Sequence, residues 1–316
     1  MAMPVLKAAV VGAGRLGALH AAKYASIPGV KLTSVVDIDL DRAAQVGKLY
    51  DAGPLTDFRD LIGKVDLVSV ATPTLTHLEI AAPLLAGGLD VLVEKPMTAT
   101  LEQAHELAAL ARRSDRILQI GHLERFNPAV VRSRPFIKGP KFIECLRVAP
   151  FTERGTDVDV VFDLMVHDLD VILSLTNAGV ASMEAVGVAV LTDRIDVANA
   201  RLRFSDGMIA NLNTSRVAPR RERKIRFFQP DAYISLDYEA RTLQIYHKDP
   251  PPPGQSYPLI SAQRIDLRDG DPLADEINDF INSVRTRSAP QVGVIQGLRV
   301  IELCEQISSA VKASAI

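Results

Sequence analysis

Apolar residues along the chain fall into two rhythms, and the change between them comes near residue 122. In the first part, unbroken apolar runs alternate with stretches of helical spacing. The segment LKAAVVGAGRLGALHAAKYASIPGVKLTSVVDID, from Leu6, reads as a strand, a glycine turn, a helix and a second strand. DLVSVATP (Asp66 to Pro73), a helical stretch near Leu75 to Ala86, DVLVEKP (Asp90 to Pro96), a helix from Thr100 to Arg113 and ILQIGH from Ile117 continue the alternation. Strands of this kind are covered on both faces, so the pattern predicts an α/β domain over residues 1–122 with a doubly wound parallel sheet.

From residue 123 the second rhythm has a period of two. KFIECLRVAP (Lys141 to Pro150) alternates as a strand, and ANARLRFSDGMIANLNTS turns at Asp206-Gly207 between alternating arms, a hairpin signal. KIRFFQP, AYISLDY and TLQIYH supply further strands, PPPPG (Pro250 to Gly254) reads as a stiff exposed loop, and LADEINDFINSVRTR and VIQGLRVIELCEQISSAVKA close the chain as helices. The expectation is a second domain, α+β, over residues 123–316. One stretch fits neither rhythm. VVFDLMVHDLDVILSL (Val160 to Leu175) is apolar nearly all round, as in a buried helix, yet carries Asp163, His167, Asp168 and Asp170. Asp163, His167 and Asp170 stand at i, i+4 and i+7 and form one polar stripe.

Composition narrows the function classes. At 316 residues the chain suits two domains. A net charge of -2 lacks the basic excess of a nucleic-acid binder. Cys145 and Cys304 lie in apolar surroundings without CxxC spacing and read as buried thiols of a reducing compartment. No apolar run approaches a membrane span and no export leader is evident, so no membrane partner is expected and the predicted location is cytoplasmic. The basic run Arg216 to Arg226 reads as a solvated hairpin or subunit edge, with Arg216 kept as the member near a diphosphate.

The first glycine turn carries the clearest chemistry. Gly12, Gly14 and Gly17 have GxGxxG spacing between a strand and a helix, which allows a tight turn, close backbone approach to a pyrophosphate and close helix packing. The helix starting at Arg15 and Leu16 offers its N–H groups to phosphate. Asp37, at the end of the second strand, suits the adenosine ribose hydroxyls and repels a 2'-phosphate, so NAD is expected over NADP, although Arg42 is close enough in sequence to tolerate a phosphate. This is the Rossmann arrangement, whose ligands sit beyond the carboxyl ends of strands. That rule selects Thr72, Pro73, Thr74 and His77 after one strand, and Glu94, Lys95 and Pro96 after the next. A lysine at a strand end is ordinarily a solvated charge. Lys95 stands apart because it follows a buried run and precedes a proline at this edge.

VGAGRLG, VVDID, ATPTLTH, VEKPMT, QIGHLERFNP and DLMVHDLD occur in that order, and together they resemble the glucose-fructose oxidoreductase, inositol dehydrogenase and MocA family of sugar dehydrogenases. The resemblance implies an open, mainly antiparallel sheet in the second domain, a homodimer or homotetramer, and a lysine and a histidine facing the nicotinamide and the sugar carbon. The matching residues are Lys95, Asp163 and His167. GHLERFNPAV, DVVFDLMVHDLDVIL and FFQPDAYISLDY resemble the branch that oxidises UDP-N-acetylglucosamine at C3 and supplies an aminotransferase. A free sugar, an inositol, another nucleotide sugar or a non-catalytic NAD- or sugar-sensing role are the competing readings.

By residue chemistry the His167 stripe admits a structural core pair, a metal ligand set or an acid/base group; the company of Lys95 and a dinucleotide fold favours the last, and no metal is expected. Alcohol oxidation needs a base at the hydroxyl. Either His167 takes the proton and Lys95 steadies the oxygen, or Lys95 is the base and His167 positions the sugar; Asp163 orients the imidazole. Asp170 is expected to be structural and Asp168 to lie on the exposed edge. Arg125 and Asn127 are candidate substrate or cofactor contacts, with Asn127 equally placed to cap the next helix. Arg154 is a candidate partner for the diphosphate.

Overall fold

The computed structural model describes residues 4–152 and 156–314. The chain divides into two compact units, the first from Met1–Leu123 with Leu273–Glu302 and the second from Glu124–Pro272 with Leu303–Ile316.

The first unit contains β1 (Leu6–Val11), α1 (Arg15–Ser26), β2 (Val30–Val36), α2 (Leu40–Lys48), β3 (Gly53–Leu55), β4 (Leu67–Val70), α3 (His77–Ala86), β5 (Asp90–Glu94), α4 (Leu101–Arg113) and β6 (Leu118–Gly121). Its sheet has the order β3-β2-β1-β4-β5-β6, with every pairing parallel. This is the doubly wound dinucleotide order, which reverses direction between β1 and β4. Ala8, Ala9 and Val10, Val68 and Val70, and Val91, Leu92 and Val93 are wholly shielded, which is why these strands read as unbroken apolar runs.

The second unit contains α5 (Pro128–Ser133), β7 (Phe142–Val148), α6 (Val166–Leu173), β8 (Val180–Val188), β9 (Val197–Phe204), β10 (Ile209–Ser215), β11 (Glu222–Phe228), β12 (Ala232–Asp237), β13 (Thr242–Asp249) and β14 (Leu259–Asp266). Its sheet order is β14-β13-β12-β11-β7-β10-β9-β8. Among the described residues only the β7–β10 pair is parallel, so the sheet is mainly antiparallel. The hairpin at Asp206-Gly207 joins β9 to β10 as expected. Alternate residues such as Ile143, Cys145, Leu202, Ile225, Ile234 and Ile245 are buried on one face. The other face carries Phe142, Phe228, Tyr233 and Tyr246 in a row, with ring centroids 5.4, 5.1 and 5.5 Å apart. Strand β14 escaped the sequence reading because it is an edge strand exposed on both faces, and burial therefore writes no alternation into it.

Helices α7 (Pro272–Thr286) and α8 (Val294–Ser314) close the chain. The expectation of a second domain running unbroken from 123 to 316 differs from the structure. Leu273, Ile277, Phe280, Ile281 and Val284 of α7 join the core of the first unit with Val10, Tyr24, Leu32 and Val35. An amphipathic pattern states which helix face is buried and is silent about its partner. Cys145 and Cys304 are buried thiols, and burial pushes the Cys145 thiol well above its ordinary value. Among the described residues no helix is long and apolar enough to cross a membrane.

Candidate active site

In the first unit the glycine turn is built by the backbone. Gly12 has φ +95°, and a Cβ there would lie 2.6 Å from the Ala71 carbonyl oxygen. A Cβ on Gly17 would lie 1.7 Å from the Gly12 carbonyl oxygen, so that glycine lets α1 close against the turn. Space is open around Gly14, no side chain caps α1, and no acid sits in its first turn. Arg15 and Leu16 follow there, with the unshared N–H groups and positive dipole end that suit a pyrophosphate. The Asp37 carboxylate accepts the Ala13 N–H at 2.8 Å through one oxygen and the Asp39 N–H at 3.0 Å through the other. Each oxygen has two lone-pair directions, so capacity remains for ribose hydroxyls. Arg42, half exposed, lies 3.4 Å from Asp37 and 3.3 Å from Asp39. These residues fit NAD.

Beyond β4, Thr72 is partly exposed, Pro73 exposed and Thr74 buried; the Thr76 hydroxyl donates to that of Thr72 at 2.9 Å. Lys95 is partly buried, and its peptide bond to Pro96 is cis. His77 and Glu94, expected to meet the cofactor, are buried and have protein partners. The His77 ring nitrogens lie 2.9 Å from the Pro96 carbonyl and 3.0 Å from that of Thr72. Glu94 faces His20, whose Nε2 is 3.0 Å from Oε1. His20 Nδ1 is 3.0 Å from the Ser69 hydroxyl, which is 2.8 Å from the Tyr24 hydroxyl. His20, Glu94 and Glu276 have metal-capable spacing, yet the first two are within hydrogen-bond distance of each other. Sequence reasoning missed this network; its available signal was His20 and Tyr24, polar groups one turn apart on an otherwise apolar helix face.

In the second unit the polar stripe is real but divided. The segment starts with a π-helical turn, Val161–Met165, that leads into α6, and such turns recur at functional sites. Asp159 caps it, accepting the Val161 and Phe162 N–H groups at 3.0 and 3.2 Å and the Ser308 hydroxyl at 2.8 Å. Asp163 and His167 are partly exposed, whereas Asp168 and Asp170 are buried. The expectation that Asp168 lies on an exposed edge is therefore corrected: it makes two bonds to Arg147, at 3.0 and 2.9 Å. Arg147 also reaches Glu124 at 3.1 Å and lies over the Tyr238 ring. Burial opposes the charge of Arg147, but Asp168 and Glu124 outweigh it and hold its pKa above the ordinary value.

Arg125, Asn127 and Arg216, expected as ligand contacts, have protein partners within the second unit. Arg125 is buried and donates to Asp170 at 2.8 Å. Asn127 caps α5, accepting the Ala129 N–H at 3.0 Å, which is one of its two expected roles, and donates to Glu124 at 3.0 Å. Arg216 is buried against Asp196 at 2.7 Å and donates to the Val158 carbonyl at 3.0 Å. Burial pushes the Asp196 carboxyl up, but hydrogen bonds from Thr192, Arg216, Leu191 and Val190 outweigh it and hold the group well below its usual range. Arg154 lies outside the described residues.

Residues 6–122 match the oxidoreductase family with an NAD-binding Rossmann fold, and residues 146–234 match the GFO/IDH/MocA C-terminal domain. The chain is 38% identical over 98% of its length, and 98% of the relative's, to a UDP-N-acetylglucosamine 3-dehydrogenase of Acidithiobacillus ferrooxidans. A solved structure of that enzyme superposes with a TM-score of 0.91 at 37% identity, covering 98% of this chain and 99% of that one. A myo-inositol 2-dehydrogenase structure from Lactobacillus plantarum, 21% identical with a TM-score of 0.81 over 98% of both chains, shares the fold. With both domain types matched in order and a relative of this identity spanning nearly the whole length, the chain belongs to the Gfo/Idh/MocA family of oxidoreductases.

Proposed function

We propose that the protein oxidises the C3 hydroxyl of UDP-N-acetylglucosamine to the 3-keto sugar, with NAD as acceptor, and so prepares the sugar for an aminotransferase in amino-sugar biosynthesis. The observation that carries this reading is the match to the Acidithiobacillus enzyme over both domains. NAD, held by the turn at Gly12–Gly17 and by Asp37, supplies the hydride acceptor. Lys95 and His167 act on the same hydroxyl: one accepts its proton and the other hydrogen-bonds the oxygen as negative charge develops. Asp163, one turn before His167 on the same partly exposed face, orients the imidazole. The enzyme works in the cytoplasm as a homodimer or homotetramer, for which the aromatic row on the second sheet offers an apolar face.

Substrate-dependent NADH formation tests the reading. UDP-N-acetylglucosamine is expected to reduce NAD and to yield a product lighter by two hydrogens, while Lys95→Ala and His167→Asn each lower kcat by about 10²- to 10⁴-fold. The catalytic assignment fails if both variants keep near wild-type turnover at saturating NAD. A free polyol or inositol that is oxidised while the nucleotide sugar is not would overturn the substrate.

A further inference from the structure

Behind Glu94 lies a buried network of short polar contacts. The Tyr24 phenol is buried, and burial, against the bond to Ser69, raises its pKa, so it stays neutral, with its hydroxyl 2.8 Å from that of Ser69. The arrangement in which Tyr24 donates to Ser69 and Ser69 to His20 Nδ1 puts an imidazole proton on Nε2, toward Glu94 Oε1. The other carboxylate oxygen accepts the Lys95 N–H at 3.3 Å. The buried Glu276 carboxylate comes within 4.8 Å of both the His20 ring nitrogen and the Glu94 carboxylate. The Glu94 carboxylate also lies where a Cβ on Gly121 would be, 2.9 Å away, so the strand beside it is cut back to receive it. His20 belongs to α1, whose N-terminal turn suits a pyrophosphate, and Glu94 ends β5, immediately before Lys95.

We propose that His20 is a positioning residue for Lys95: its Nε2–H fixes the Glu94 carboxylate, which fixes the backbone from which the Lys95 side chain departs. The inference rests on the reading that Lys95 works on the substrate oxygen. Misplacement of a reacting group by about 1 Å can lower rate about a hundredfold, so a one-residue lever of this kind bears on kcat.

The test compares His20→Leu, which keeps bulk and loses both bonds, with His20→Gln, which keeps a donor toward Glu94 and an acceptor for Ser69. Gly121→Ala serves as a variant that displaces the Glu94 carboxylate without touching either partner. His20→Leu and Gly121→Ala are expected to lower kcat about 10- to 100-fold, with NADH affinity and the KM for UDP-N-acetylglucosamine within about threefold of wild type; His20→Gln restores most of kcat. In the Lys95→Ala background His20→Leu adds no further loss, because the residue acts only through the lysine. Additive losses, or unchanged kcat in both His20→Leu and Gly121→Ala, would overturn the proposal. If Lys95→Ala itself retains turnover, the failure lies instead in the role given to Lys95. Should His20→Leu not fold, Gly121→Ala decides the question by the same kcat readout.

Discussion

The turn at Gly12–Gly17 and the helix α6 are held in place by different means. At the turn, position comes from what is missing: two side-chain carbons that would collide with backbone. At α6, position comes from long side chains with opposite charges, Arg147 with Asp168 and Glu124, and Arg125 with Asp170. A backbone-built site depends on residues adjacent in sequence. A side-chain-built site depends on partners tens of residues apart, each of which is unfavourable in the core without the other.

The largest way to break the comparison is at Arg147. Arg147→Met leaves Asp168 and Glu124 buried without their guanidinium and is expected to destabilise the protein by about 3–5 kcal/mol in urea unfolding. Adding Asp168→Leu should recover much of that loss, since replacing a whole buried pair by apolar groups is far less costly than removing one member. If the single and double variants were equally unstable, the ion pair would not be what holds α6.

At the turn the corresponding change is Gly17→Ala. Its added carbon, 1.7 Å from the Gly12 oxygen, forces the strand-to-helix junction open. Overpacking costs about 1–3 kcal/mol, and at about 1.4 kcal/mol per tenfold that is expected to weaken NADH binding by roughly tenfold to a hundredfold in a fluorescence titration. Gly14→Ala, into space open of protein atoms, should cost far less stability in urea unfolding, whatever it does to pyrophosphate approach. Equal losses of stability at both positions would mean that the crowding at Gly17 does not hold the turn.

This contrast explains how much could be read from the sequence. The parallel sheet, the glycine turn and Asp37 are local in sequence: their signals are spacings within a βαβ unit, and they lie in the structure where those spacings put them. The family-like motifs around α6 drew attention to residues whose protein partners they do not name. Arg125 and Asn127 looked like ligand contacts because an isolated arginine or asparagine near a helix start carries no record of its partner. Their partners, Asp170 and the α5 N-terminus with Glu124, are supplied by folding. For His77 and Glu94 likewise, the strand-end rule locates a residue and does not name its protein partners, here the Pro96 and Thr72 carbonyls and His20.

Asn127 sharpens the point at smaller scale. As an N-cap, Asn127→Ala is expected to cost about 1 kcal/mol of stability and to leave the KM values for NAD and sugar unchanged. As a ligand contact it would raise KM with little effect on stability. Unfolding and steady-state kinetics on one variant separate the two, and a raised KM at unchanged stability would return Asn127 to the ligand side of the comparison.

The smallest effect concerns His77, a polar side chain that ties two loops of the backbone-built region together. Its ring lies between two carbonyl oxygens, of Pro96 and Thr72. With a single proton it donates to one and presents a lone pair to the other. Burial is the largest influence on the ring and lowers its pKa below the ordinary value, against the opposing pull of those two carbonyls and of Glu94. The folded protein thus holds this proton less readily than the unfolded chain does. Its stability contribution is fully present above the unfolded value, about 6.5, and is lost as the pH falls from there through the folded one. Carboxylates titrate mostly lower, near about 4, so the interval from about pH 7 down to about 5.5 isolates histidines, and comparison with His77→Gln isolates this one. The wild type is expected to lose stability over that interval relative to the variant, and the ring's NMR titration midpoint should fall below about 6.5. A stability difference that is flat, or that grows in acid, would mean that the ring accepts its second proton to satisfy both carbonyls, and that electrostatics hold this turn as they hold α6.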